Sequence, residues 1–317
     1  MNSKIVIDSD IPFIEGVFEP YFSEVLYLKG MDICAENLSD ADALVTRTRT
    51  KCTGELLKGS AVKAIATATI GLDHIDDTFC KEQGIEVFSA QGCNARAVMQ
   101  WVFSSIEVLQ LRGLVSKDFT LGIVGVGNVG CEVEGVAKEK GIKTLLCDPP
   151  RQQREGSCDF VSLDELLAQS DVVTTHVSLD STTRGMINDD FLKKMQKGAV
   201  LLNASRGEVH LEEDLLLCDS VVYALDVWCS EPNINRELLA KAAIATPHIA
   251  GYSMRGKARA TIMCVQQLAE FFSIEELKNW GEHLDFPLEE TLGCDVLHYD
   301  NLLRKSPEDF ENQRTFR

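Results

Sequence analysis

From Leu121 to Gly130 the chain reads Leu-Gly-Ile-Val-Gly-Val-Gly-Asn-Val-Gly, an apolar β-branched run that breaks into G-x-G-x-x-G at Gly125, Gly127 and Gly130. Asn128 and Val129 open a stretch of helical composition that runs to Lys140, Lys143 to Cys147 reads as the next strand, and Asp148 closes it. Strand, glycine turn, helix, strand and an acid about twenty residues beyond the turn form the pattern of a dinucleotide-holding βαβ unit. The glycine turn alone would be weak evidence. With all five parts in order, each glycine has a reason. Gly125 permits the tight turn, Gly127 lets backbone approach a pyrophosphate, and Gly130 lets the helix pack closely, with the helix N-terminus facing the negative charge. Asp148 is placed to bond ribose hydroxyls and repels a 2′-phosphate, which favours NAD over NADP.

Three residues downstream sit in separate local contexts: Arg206 in Asn203-Ala-Ser-Arg-Gly207, Glu231 in Asp226-Val-Trp-Cys-Ser-Glu-Pro232, and His248 in Pro247-His-Ile-Ala-Gly251. Together they supply what hydride transfer from a 2-hydroxy acid needs. Arg206 offers a planar fork that matches a carboxylate, His248 can take a proton near neutral pH, and Glu231 can hold the imidazole and favour its charged form. Taken singly, a histidine after proline can merely end a strand, a glutamate before proline can be a turn residue, and an arginine before glycine can be a solvated cation. Their joint occurrence in chain order carries the argument. Of the other histidines, His74 is expected to be structural beside the Thr69 loop, His176 to line the cofactor cleft through its neighbours, and His210 to lie on the surface.

A chain of 317 residues is long for one hydrophobic core and points to two or three domains. A net charge of -18 argues against nucleic acid or an anionic membrane as partner, although local basic groups can still form a pocket for an anionic substrate. No apolar run reaches the length of a membrane span, and Met1 to Asp8 enters a strand pattern without a signal-type apolar region. The 11 cysteines contain no C-x-x-C pair, so neither a disulfide framework nor a zinc site is expected, no metal is assigned, and a reducing cytoplasm is the expected location.

Apolar runs at Ile5–Ile7, Val25–Leu28, Ala43–Thr46, Val62–Ala66 and Ile85–Phe88 alternate with polar or amphipathic stretches, which predicts a flavodoxin-like parallel α/β unit. A long amphipathic stretch from Asn94 to Arg112 leads into the glycine turn. Further strands are expected at Val172–Thr175, Val200–Asn203, Val221–Asp226 and Ile244–Thr246, making the second unit a Rossmann domain. Helical pattern from Gly251 to Phe272 is expected to return to the first unit. The predicted division is 1–92 with 251–272 for substrate, 93–250 for NAD, and 273–317 as a C-terminal segment too short for its own core. That segment is expected to be an arm on a partner subunit or a partly ordered tail.

The ordered set Gly125 to Gly130, Asp148, Asn203 to Gly207, Asp226 to Pro232 and Pro247 to Gly251 resembles the D-isomer-specific 2-hydroxyacid dehydrogenases. Further strings resemble one branch of that family, which works on a phosphorylated 2-hydroxy acid in vitamin B6 biosynthesis. They include Asp8 with Ile11-Pro12, Ala66 to His74, Gly92 to Ala95, Cys147-Asp-Pro-Pro150, and His248 to Tyr252 with Gly256 to Arg259. The resemblance covers about residues 4 to 262. It implies NAD-dependent oxidation of a small phosphorylated 2-hydroxy acid by catalytic Arg206, Glu231 and His248. It also implies cofactor contacts at Gly125, Gly127, Asn128, Val129, Gly130, Asp148, Val177, Asp226 and Gly251, and substrate contacts at Thr48, Thr69 and Tyr252. Arg47 heads the candidate phosphate cations, with Arg49, Arg255, Lys257 and Arg259 behind it. Two departures stand out: Ser178 replaces a proline usual in the family, and the C-terminal segment is abbreviated beside the branch's dimerisation region. A homodimer is still expected. Two alternatives stay open, another 2-hydroxy acid dehydrogenase such as one acting on 3-phosphoglycerate, and a non-catalytic protein that senses NAD.

Overall fold

The computed structural model describes residues 3–156, 159–281 and 295–314. The chain gathers into two compact units, Met1–Asn94 with Ser253–Leu288 and Ala95–Tyr252 with Glu289–Arg317.

The first unit is a parallel sheet of β1 (Lys4–Asp8), β2 (Glu24–Leu28), β3 (Ala43–Thr46), β4 (Ala64–Thr67) and β5 (Glu86–Ser89), in the order β2-β1-β3-β4-β5. This is the flavodoxin-like order. Its inner strands are unbroken apolar runs because both faces are covered, and alternate residues divide between the two faces. Ile5, Ile7, Val45 and Ala66 pack with Cys264, Val265 and Leu268 of the Met254–Phe271 helix. Val6, Leu44 and Ile65 face the other way, onto Leu38, Leu57 and Cys80. The returning helix starts slightly later than its pattern suggests, where the Ser253 hydroxyl accepts the Gly256 amide as an N-cap.

The second unit is a parallel sheet of β6 (Thr120–Val124), β7 (Lys143–Cys147), β8 (Val172–Thr175), β9 (Val200–Asn203), β10 (Val222–Leu225) and β11 (Ile244–Ala245), ordered β11-β10-β9-β8-β6-β7. Beyond β7, Phe160 makes a single parallel bridge to Leu146. With that bridge the order is the one expected of a Rossmann domain, its third strand cut to one residue pair. Leu121, Ile123, Val172 and Leu202 pack with Trp101 and Val102 of the Ala95–Leu111 helix. On the opposite face Val124, Val173, Leu201 and Leu225 pack with Leu166 and Phe191.

Among the described residues of the 273–317 segment, the Glu275–Leu277 turn belongs to the first unit and the Val296–Lys305 helix to the second. Leu303 and Phe310, both 0% exposed, enter the core of the second unit. The Asp300 carboxylate accepts the Ala245 amide at 2.8 Å, and Arg304 donates to the Leu239 and Ala242 carbonyls at 2.8 and 2.6 Å. Residues 282–294 and 315–317 of the segment lie outside the described residues. No described helix is long and apolar enough to cross a membrane, and the described cysteines are all free thiols.

Candidate active site

In the second unit the predicted residues fall on loops that leave the carboxyl ends of successive parallel strands, where open α/β sheets hold their ligands. Gly125, Asp148 and Val177 follow β6, β7 and β8, while Arg206, Glu231 and His248 follow β9, β10 and β11.

The glycine turn is held from two sides. Gly125 has φ +85°, and a Cβ there would come within 2.7 Å of the His176 carbonyl oxygen. A Cβ on Gly130 would meet the Gly125 carbonyl at 2.2 Å, so the Asn128–Glu139 helix packs onto its own turn only with glycine there. Gly127 differs. A Cβ there would meet nothing within 4 Å, so the protein leaves this side of the turn open. Gly127 and Asn128 are exposed, Val129 is half-buried, and the first amides of the helix have no intrahelical partner. Asp148 accepts the Val126 amide at 2.8 Å through one oxygen and caps the Pro149–Glu155 helix at the Arg151 amide, 2.9 Å, through the other. An ionised carboxylate has about four acceptor positions, so two bonds leave room for ribose hydroxyls. Open backbone, free amides and a half-buried acid fit a dinucleotide.

Arg206, Glu231 and His248 border one cavity of about 200 Å³, together with Gly207, Glu208, Trp228 and Ser230. His248 Nδ1 lies 2.7 Å from Glu231 Oε2, and the Trp228 amide donates to Glu231 Oε1 at 2.9 Å. Burial pushes the Glu231 carboxyl up, but its bond to His248, the charge of His248, the Trp228 amide and the Arg314 guanidinium bring it below the ordinary glutamate value. An ionised carboxylate only accepts, so Nδ1 carries the proton and the neutral imidazole turns the lone pair of Nε2 away from Glu231. The Gly207 backbone presses on the other loop: a Cβ would meet Trp228 carbonyl atoms at 2.1 Å.

Asp226 stands behind His248. It is 0% exposed, and it accepts the Thr246 hydroxyl at 2.5 Å and the Ile249 and Ala250 amides at 2.8 and 2.9 Å. Both oxygens therefore hold the turn that displays His248 at φ +53°. Trp101 Nε1 donates to Thr246 at 2.9 Å and completes this buried chain. Gly251 and Tyr252 follow the same turn and are half-buried.

Asn203 does similar work for Arg206. Its Oδ1 accepts the Ser205 amide at 3.0 Å, while its Nδ2 donates to the Arg206 carbonyl at 3.0 Å and to His210 Nδ1 at 3.1 Å. His210 is therefore buried, at 1% exposure, and not on the surface as its sequence context suggests. The partner seven residues back draws it in. Burial lowers its pKa to about 4, so it is neutral with the proton on Nε2. One ring nitrogen of His210 and the ligand-type atoms of Glu212 and Cys229 all lie within 4.8 Å of one another. Among the described residues His210 Nε2 meets no hydrogen-bond partner, and a Cys229 thiol pushed up to about 12 by burial and then by Glu212 is a poor metal ligand.

In the first unit, Thr67 Oγ1 bonds both Thr69 Oγ1 at 2.8 Å and His74 Nε2 at 3.1 Å, and Thr69 donates to the Gly71 carbonyl at 3.0 Å. His74 thus braces the Thr69 loop from within the core. Arg47 is half-buried after β3, and Thr48 and Arg49 are exposed. Lys257 has its pKa lowered to about 8 by burial and then by Arg47. Sequence reasoning missed Asn203, Thr246 and Trp228 as supports, because nothing in their local pattern separates a brace from an ordinary core residue.

The chain belongs to the D-isomer specific 2-hydroxyacid dehydrogenases: the family's NAD binding domain matches residues 96–250. It is an NAD-dependent dehydrogenase. Within that family it is 46% identical over 284 residues to the erythronate-4-phosphate dehydrogenase of Bacteroides fragilis, covering 86% of this chain and 81% of that one. It is 42% identical over 282 residues to the enzyme of the same name from Escherichia coli O9:H4, covering 86% and 74%. Among solved structures it is similar to the NAD-bound 3-phosphoglycerate dehydrogenase of Entamoeba histolytica, with a TM-score of 0.72, 28% identity, and coverage of 88% and 98%. The D-lactate dehydrogenase of Aquifex aeolicus aligns with a TM-score of 0.65 at 26% identity, covering 87% and 98%.

Proposed function

We propose that the protein oxidises 4-phospho-D-erythronate to 3-hydroxy-2-oxo-4-phosphooxybutanoate with NAD, as a step of vitamin B6 biosynthesis. The observation that carries the chemistry is the 2.7 Å contact of His248 with Glu231 in a cavity shared with Arg206. The names of relatives at 42 and 46% identity support the substrate.

NAD, when bound, accepts the C2 hydride at C4 of its nicotinamide. Gly127, Asn128, Val129 and Asp148 hold the dinucleotide in this reading, with Val177 and Gly251 beside it. Asp226 serves it by holding the His248 turn. His248 Nε2 takes the C2 hydroxyl proton, and Glu231 stabilises the imidazolium that results. Arg206 holds the substrate carboxylate and steadies the developing ketone oxygen. Arg47, Thr48, Thr69 and Tyr252 are the remaining substrate contacts of this reading. A homodimer in the cytoplasm completes the reading.

NADH formation with 4-phosphoerythronate, erythronate and 3-phosphoglycerate tests it. A strong preference for 4-phosphoerythronate is expected. Equal kcat/KM with and without the phosphate, or a preference for 3-phosphoglycerate, defeats it.

A further inference from the structure

One cation over Tyr252, just past the His248 turn, comes from far along the chain. Arg314 follows the Phe310–Gln313 turn, which is pinned by the buried Phe310 ring and by Gln313 Nε2, donating to the Leu302 and Ser306 carbonyls at 3.2 and 2.6 Å. The guanidinium stands over the Tyr252 ring, with its carbon 5.3 Å from the ring centre. The side chain is only 19% exposed, and its one ion pair among the described residues is to Glu311 Oε1 at 3.2 Å, on a side chain 60% exposed. Its Nε–H is buried and meets no acceptor among the described residues. Its charge also reaches Glu231, whose carboxylate it helps to keep ionised.

A buried guanidinium N–H is seldom left without an acceptor, and a pair to an exposed glutamate is weak. Stacking on an aromatic ring fixes the plane of the fork, which suits bidentate capture of an oxyanion. The proposed substrate carries its phosphate on C4, only two carbons from the C2 that must reach His248. Whatever holds that phosphate must therefore stand near the His248 turn, and Arg314 lies over Tyr252, which follows that turn.

We propose that Arg314, laid on Tyr252, is a substrate-phosphate anchor contributed by the NAD-binding unit, and so a specificity-determining residue. This rests on the function proposed above. It adds the C-terminal segment to the Arg47 candidate that the sequence offers for phosphate recognition.

The test compares Arg314→Ala, Arg314→Lys and Arg47→Ala with the parent, using 4-phosphoerythronate, erythronate, and inorganic phosphate as a competing anion. NADH binding and melting temperature report on folding. In Arg314→Ala the ratio of kcat/KM for the phosphorylated over the unphosphorylated acid is expected to fall about 10- to 10²-fold, chiefly through KM, with weaker inhibition by inorganic phosphate. Arg314→Lys, a point charge without the fork, should recover part of the ratio. The proposal is overturned by an unchanged ratio in Arg314→Ala, by an equal loss on both substrates, or by loss of the ratio in Arg47→Ala alone. A parent enzyme with no phosphate preference would instead sink the functional reading. Inhibition by inorganic phosphate then still judges Arg314 by itself, since equal inhibition of parent and Arg314→Ala refutes the anchor.

Discussion

His248 and Glu231 meet at 2.7 Å across two loops that leave neighbouring strands, and the Trp228 amide holds the free oxygen of the glutamate. The contact fixes which imidazole nitrogen carries the proton. His248→Ala should lower kcat by roughly 10² to 10⁴ while NADH still binds. Glu231→Gln removes a charged hydrogen bond of about 1.5–3 kcal/mol, so kcat should fall roughly 10- to 10²-fold. Because the Glu231 carboxyl is held below its ordinary 4.5, its charge persists throughout the neutral range and is lost only as pH falls below that value. Steady-state rates with NADH fluorescence titration check all three statements, and near-normal turnover in His248→Ala would reject the assignment.

Gly127 and Gly207 should respond oppositely to the same substitution. Alanine at 207 drives a Cβ into the Trp228 carbonyl group and separates the Arg206 and Glu231 loops, costing about 1–3 kcal/mol and most of the activity. Alanine at 127 meets no protein atom, so thermal stability should hold while NADH affinity drops. Melting curves with and without NADH separate the two, and a Gly127→Ala protein that binds NADH normally would refute the pyrophosphate role.

Asp148 combines two duties that serine can divide. Asp148→Ser keeps an N-cap but loses the charge and the acceptor for the Val126 amide, so helix capping should be retained while discrimination against NADPH narrows; Asp148→Ala should also lose about 1 kcal/mol of helix capping. Dissociation constants for NADH and NADPH in both variants provide the measurement. Unaltered discrimination in Asp148→Ser would be the contrary result.

His74 is 6% exposed, and burial, with Lys51 second, lowers its pKa from 6.5 to about 4. The unfolded chain therefore takes up this proton first as pH falls, and stability declines between 6.5 and about 4 by up to about 3 kcal/mol before levelling. His74→Gln should flatten that decline. Denaturant midpoints across the range decide it, and identical slopes in variant and parent would contradict the assignment.

Much of the fold is legible because parallel strands are buried on both faces: Val172–Thr175 and Val200–Asn203 are buried along their whole length and start with apolar pairs or triplets. The single bridge at Phe160 leaves no such trace, since one residue pair has no period. Local residue type is legible where backbone geometry demands it, as at Gly125 and Gly130. A residue's role reads poorly where tertiary partners decide. His210 is buried by Asn203, Asp226 is committed to amides that only the folded turn brings near, and Arg314 reaches Tyr252 through a segment whose own sequence carries no site pattern.

The Asp300 carboxylate that takes up the Ala245 amide has an effect beyond local packing. β11 borders the sheet, and its outer backbone donors would otherwise be offered to any extended segment nearby. A shortened protein ending before Val296 would expose that border, and cross-chain pairing followed by precipitation is the failure it invites. The Val296–Lys305 helix therefore guards against self-association in addition to contributing to the core.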